Sequence, residues 1–403
     1  FNMERSLYFY LEPYVYLKNS KKGLLLINLL DDKAFTFEDS KSIKIGKQLL
    51  SSHKRTIQIT KDDTQIPIID SAIRYFMGDT LTAISQPLQF DSEINNVFGK
   101  DAYRKSIIYS NYNIGRYLTN CTIFADMANQ DCYDYIKLIT GIEESYNKGY
   151  CDIPSNMNEN DIDAYIQELV AINPDIILNI CGLNSALLDY ILSHFPNVSI
   201  NPIVSLRALQ LNPNMRNLIK EKQLRYTLLL DLSHDNYAWD VNDKLCSVSV
   251  KIENNRNLHI ANKLIEQGHQ INICPVLNST NSDFIKSLLS ISREELLNIK
   301  NKYRTLKINN LINSNFWGKL YLFPTGKVCY SLNNIQLLEF NLLYERYKTD
   351  FLNGTFEWTL FRNFTKCRDC MFQYLCPAPN YIEINLRENN QIECLISNEE
   401  VST

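Results

Sequence analysis

Phe364-Thr-Lys-Cys367-Arg-Asp-Cys370-Met-Phe-Gln-Tyr-Leu-Cys376-Pro-Ala-Pro-Asn380, followed after a polar interval by Cys394, is the one dense run of thiols in this chain of 403 residues. Two thiolates separated by two residues can turn through a tight knuckle onto one ion. A third, five residues on, and a fourth from a following loop complete a four-sulfur cage that suits a zinc ion or an iron–sulfur cluster. A lone Cys-x2-Cys carries little information. Cys-x2-Cys-x5-Cys with a proline directly after the third thiol, and then Cys394, carries much more. The competing reading is buried thiols used as small apolar side chains, a use that needs no clustering.

Upstream of that run, composition sets bounds. Hydrophobic residues at 45% and charged residues at 21% describe an ordinary folded chain, long enough for two or three domains. A net charge of −4 without a basic cluster offers no general attraction to nucleic acid or to an anionic membrane surface. The longest apolar runs are too short to span a bilayer. Eleven cysteines is an odd number, and those outside the tail are scattered through apolar runs such as Ile177-Leu-Asn-Ile-Cys181. With no secretory signal pattern at the start, this suits a reducing, cytoplasmic setting better than a disulfide framework. Neither Gly-x-Gly-x-x-Gly nor a Walker sequence occurs, so phosphate-cradling loops are not expected.

Between the start and about residue 80, aromatic and branched residues alternate with polar ones. Three strands are expected: Ser6 to Leu11, Tyr14 to Leu17 with Gly23 to Leu30, and Lys33 to Phe37. A helix near Lys41 to Ser51, a short strand Thr56 to Thr60 and a helix from about Ile66 to Gly78 follow, with Pro67 in the first turn and Gly78 as its cap. Residues 81–102 read as a linker. From 103 to 310, apolar strands alternate with helices. The strands are Ile107 to Leu118, Pro174 to Ile180, Val198 to Leu206, Tyr226 to Leu232, Cys246 to Ile252 and Ile271 to Leu277. The helices are Asp161 to Asn173, Ser185 to Phe195, Asn214 to Lys222, Asn257 to Gly268 and Asp283 to Ile291. The alternation implies an α/β fold with a parallel sheet, open or curved into a partial barrel. Residues 311–403 hold the cysteine-rich tail.

The tail spacing resembles the SPASM domains of radical SAM peptide-maturing enzymes. That resemblance implies one auxiliary-type 4Fe-4S cluster on Cys367, Cys370, Cys376 and Cys394, with zinc as the alternative. The family usually has another Cys four residues after the third, for an inner cluster. Here that position is Asn380, and Cys329 has too few partners to replace it. The N-terminal unit resembles the RiPP recognition element, a PqqD-like winged fold that takes a leader peptide as an added strand along its third strand and against its last helix. The candidate peptide-binding residues are then Lys33, Phe35, Phe37, Ile69, Ile73 and Phe76.

A partial barrel ahead of such a tail is the layout of a radical SAM enzyme, whose catalytic cluster needs Cys-x3-Cys-x2-Cys after the first barrel strand. This chain reads Cys121-Thr-Ile-Phe-Ala125-Asp-Met-Ala128, and no Cys-x3-Cys-x2-Cys occurs anywhere. Alanine supplies no ligand, so no cluster that cleaves S-adenosylmethionine is expected, and Cys121 reads as a packing thiol. The family's glycine-rich stretch is reduced to Cys181-Gly182-Leu-Asn184. In layout the chain resembles the pseudo-radical-SAM proteins of Bacteroidales-type peptide-maturation systems. The resemblance implies a non-catalytic partner that binds a precursor's leader and associates with an active radical SAM maturase. Rival expectations are an enzyme or electron-transfer subunit using the tail cluster, and a zinc-stapled adaptor unrelated to peptide maturation.

Other chemistry is sparse. His53, His194, His234, His259 and His269 are isolated, without ligand spacing. Asp231-Leu-Ser233-His234-Asp235 ends a candidate strand, but neighbours along a strand point to opposite faces, so adjacency makes no triad. Glu143-Glu144, Asp161 and Asp163 read as solvated faces or helix-start charges.

Overall fold

The computed structural model describes residues 5–52, 55–87, 114–143, 156–232, 244–332, 338–339, 349–350, 353, 358, 361–362 and 364–396. Of the strand expected from Ile107 to Leu118, only residues 114–118 are described, and there Ile114–Tyr117 form a short 3-10 helix rather than a strand; His53, Ser233, His234, Asp235 and Glu144 lie outside the described residues.

The N-terminal segment builds two antiparallel sheets. β2 (Val15–Asn19), β3 (Leu24–Asn28) and β4 (Ala34–Phe37) form a meander. β1 (Ser6–Leu11) leaves it and lies between β5 (Thr56–Ile59) and β6 (Gly78–Ala83). β6 covers the start of the expected linker and pairs along the whole of β1. Gly78 is a point of close approach in this pairing rather than a helix cap, since a Cβ there would stand 2.3 Å from the Tyr10 carbonyl. α1 (Ser40–Ser51) starts where Asp39 accepts the Ser42 N–H, and α2 (Pro67–Arg74) carries its proline in the first turn.

The middle of the chain is a nine-stranded sheet in the order β12-β11-β10-β9-β8-β7-β13-β14-β15. β7 (Asn120–Phe124), β8 (Ile177–Cys181), β9 (Ser199–Ser205), β10 (Tyr226–Asp231), β11 (Cys246–Ile252) and β12 (Ile271–Pro275) are parallel and lie side by side in chain order. β13 (Lys319–Leu322) pairs parallel to β7 on its other side, then β14 (Lys327–Cys329) and β15 (Leu338–Glu339) turn back antiparallel. Strand content thus continues past residue 311 into the segment expected to be tail.

Register sorts the side chains into two faces. One carries Cys121, Ile123, Leu178, Ile180, Val204, Leu228, Val248 and Val250, all buried. α4 (Glu159–Ile172), α5 (Ser185–His194), α7 (Pro213–Glu221) and α8 (Asn255–Glu266) join these in one apolar core. The other face carries Asn120, Thr122, Asn179, Asn201, Thr227, Ser247 and Asn272. Asn201 donates to Asn179 at 2.7 Å and to Thr227 at 3.1 Å, and Asn272 donates to Ser247 at 2.9 Å.

The sequence reading missed α3 (Gln130–Thr140). It follows β7 directly, packs against β8 to β12, and lies over the polar face, where Tyr135 is hydrogen-bonded to Thr122 and Cys132 to Cys181. Asn129 caps its start and Gly141, in the left-handed region, ends it. A short helix α6 (Leu206–Leu211) follows β9, and α9 (Ser282–Leu289), α10 (Arg293–Leu297) and α11 (Lys302–Leu311) lead from β12 to β13. The tail holds α12 (Thr365–Arg368) and α13 (Tyr381–Glu388).

Candidate functional site

The thiol run of the tail folds through successive tight turns. From Phe364 the backbone turns repeatedly on itself: Cys367 N–H donates to Phe364 O at 2.9 Å, Cys370 N–H to Cys367 O at 3.1 Å, and Cys376 N–H to Phe372 O at 3.0 Å. Cys394 returns on the chain after α13, and its Sγ accepts the Ile396 N–H at 3.4 Å. Burial, then neighbouring thiols including Cys394 and Cys367, raises Cys370 despite a backbone hydrogen bond, and burial pushes Cys376 up to about 12. Chemically the set suits a thiolate-held group, zinc or iron–sulfur. Among the described residues, however, no three His, Cys, Asp or Glu side chains converge at the spacing of a single ion.

Beneath the thiols lies a buried ion cluster absent from the sequence reading. Arg362 makes a two-pronged pair with Glu383 at 2.7 and 3.1 Å, with both side chains almost fully enclosed. Arg387 adds a third contact to Glu383 at 2.8 Å, and Arg362 also donates to the Pro377 carbonyl. Asn380, at the position of the missing family cysteine, caps α13 by accepting the Glu383 N–H at 2.9 Å. Cys329 is buried in the main sheet, paired with Tyr321.

In the N-terminal module the register of β3 with β4 decides what is open. Asn28 N–H donates to Lys33 O at 2.8 Å, so residues 33, 35 and 37 face β3 in the ladder and Ala34 and Thr36 turn their N–H and C=O outward. β4 is an edge strand, and no other described segment pairs with it. Phe35 packs on Tyr75 at the end of α2, with ring centroids 4.6 Å apart, and Lys33 lies over the same ring while paired with Asp31. Ile73 is half-buried beside them. Phe76 is 80% exposed and sits at φ +57, the left-handed position of a helix end closed by Met77 N–H to Ala72 O and Phe76 N–H to Ile73 O. Phe37 and Ile69 are closed off in the module's core, so they back this surface rather than form it.

The end of β7 corrects the alignment drawn from the resemblance. Cys121 lies mid-strand on the apolar face, fully buried with its thiol raised by burial, so it does not open the loop that follows the strand. That loop, 125–129, packs directly on the end of β8. Ala125 N–H donates to Cys181 O at 2.9 Å, and a Cβ on Gly182 would stand 2.8 Å from both the Asp126 carbonyl and the Cys132 sulfur.

Glu143 is no solvated charge. Lys137 reaches it at 2.6 Å and Lys251 at 3.0 Å, and Lys251 also meets Glu253 and Asp231. Burial by itself would raise the Glu143 carboxyl, but hydrogen bonds and charge from the two lysines hold it below its usual value. Asp161 does start a helix, whereas Asp163 accepts the Tyr190 hydroxyl at 2.8 Å. No helix among the described residues is long and apolar enough to cross a membrane. No protein-family model and no curated protein matches this sequence.

Proposed function

We propose that this chain is a non-catalytic partner in the modification of ribosomally made peptides, taking the leader of a precursor peptide along β4 and associating with an active radical SAM maturase. The observation that carries the reading is the unpaired edge of Ala34 and Thr36 beside an aromatic shelf of half-buried Tyr75 and exposed Phe76. An extended peptide would add as a strand there, its backbone meeting the outward N–H and C=O groups and alternate side chains resting on the shelf.

The parallel strands are read as a partial barrel of radical SAM type. They lie side by side in chain order from β7 to β12, as the strands of such a barrel do. What supports a non-catalytic role is the sequence after β7, which holds no Cys-x3-Cys-x2-Cys for a cluster that cleaves S-adenosylmethionine. In the tail, Cys367, Cys370, Cys376 and Cys394 would hold one 4Fe-4S cluster or a zinc ion. Either cross-links the tail, and an iron–sulfur group adds one-electron capacity.

The test is selection of peptides from a displayed library on the full chain, then anisotropy titrations. Selected peptides should bind at micromolar levels or tighter, and Thr36→Pro, which removes an outward N–H without touching the β3 ladder, should weaken binding at least tenfold. No enrichment, or unchanged affinity in Thr36→Pro, defeats the reading. Anaerobic purification with iron, sulfide and zinc analysis checks the tail, and turnover of S-adenosylmethionine by the isolated chain would make it an enzyme.

A further inference from the structure

A cavity of about 560 Å³ opens where β9, β10 and β11 end, bounded by α3 and the first turn of α6. Ligands of α/β proteins bind at such strand ends, in cavities of about this size. On one side its charges cancel, because Lys137, Glu143, Asp231 and Lys251 are tied to one another. Three charges remain uncancelled. Asp131 uses Oδ2 to accept the Ser205 N–H at 3.1 Å, and Asp134 accepts from Gln130 at 2.8 Å, so neither carboxylate meets a cation among the described residues. Arg207, exposed on α6, makes no hydrogen bond or ion pair among the described residues. Burial raises the Asp131 carboxyl, hydrogen bonds from Ser205 work against that rise, and the Asp134 charge adds a smaller one. Leu138, Leu211 and Leu229 supply an apolar wall.

We propose that this cavity binds a free apolar α-amino acid, its ammonium between Asp131 and Asp134, its carboxylate on Arg207 and its side chain against Leu138, Leu211 and Leu229. Two carboxylates on α3 and one guanidinium on α6 match a zwitterion better than a simple cation or anion, and Arg can clamp a carboxylate with two parallel hydrogen bonds. The site stands apart from β4 and does not depend on the leader-binding reading.

Calorimetric titration of the full chain with L-leucine, N-acetyl-L-leucine and L-leucinamide tests this. L-leucine should bind, and each capped form, lacking one charge, should bind at least tenfold more weakly. Arg207→Gln should weaken L-leucine tenfold or more and leave it no better than leucinamide. Asp134→Asn should make L-leucine no better than its N-acetyl form. Both side chains are at least partly exposed, so both variants should fold, as circular dichroism would verify. If one did not, the capped ligands on the unmodified chain decide alone. Absence of L-leucine binding at millimolar concentration, a capped form binding as tightly, or variants that keep full discrimination would each overturn the assignment.

Discussion

Phe76 combines two unfavourable features: a side chain at positive φ, which costs about 1 kcal/mol relative to glycine, and a large ring left in water. Strain of this kind concentrates where surfaces do work. Phe76→Gly should therefore leave the chain as stable or stabilise it by about 1 kcal/mol in urea unfolding, while selected peptides bind at least fivefold more weakly. Stability lost together with binding would mark Phe76 as a packing residue. Glu383 is the opposite case, buried between two guanidinium groups. Removing one partner of an enclosed pair leaves a buried charge uncompensated, so Glu383→Gln should cost roughly 3–5 kcal/mol in denaturant unfolding, and Arg362→Met with Glu383→Leu should cost less than the single change.

At the scale of elements, α3 is fastened over the polar face by Lys137–Glu143–Lys251 on one side and by Asp131 accepting from Ser205 on the other. The Glu143 carboxyl is held below its unfolded value. Its contribution is therefore present above that unfolded value, near 4.5, and lost as pH falls through the lower folded value. Glu143→Gln should lower stability by about 1–2 kcal/mol at pH 7 and by much less near pH 3, read from unfolding curves at both pH values. Gly182→Ala should loosen the same region, because its Cβ would strike the Asp126 backbone and the strand end would be forced from φ +77.

Across the whole molecule, the module and the tail form one packed unit. β3 is buried on both faces. Leu24 and Leu26 pack toward the module's own helices, and Leu25 and Ile27 pack on Met371, Phe372 and Leu375 beside the thiol knuckle. Asp32, just ahead of β4, caps α11 from outside by accepting the Asn301 and Lys302 N–H groups at 2.7 and 2.8 Å, and Arg293 pairs with Glu38 just beyond β4. Phe372→Ala should cost about 3–5 kcal/mol and reduce hydrogen-exchange protection in β3 as well as in the tail. Protection lost from the tail alone would mean that the two parts fold separately.

What the sequence determined by itself is what depends on local periodicity: β8 to β12, the helices α4, α5, α7, α8 and α9 that flank them, and α1 and α2. Tertiary structure decided the rest. Asn120 to Phe124 falls where the loop after the first strand is expected, and only its pairing between β8 and β13 makes it a strand, places Cys121 on the apolar face and ends the strand before Ala125. α3 was hidden because its apolar residues answer to a polar sheet face and to partners such as Thr122 and Cys181, not to a simple apolar stripe. β6 escaped notice because Gly78-Asp-Thr-Leu-Thr-Ala83 becomes a strand by pairing with β1, a partner almost seventy residues earlier. The Arg362–Glu383 pair joins residues 21 apart in the tail, and the charges around the strand-end cavity come from α3, α6 and the ends of β10 and β11; their meeting is a property of packing that no local pattern records.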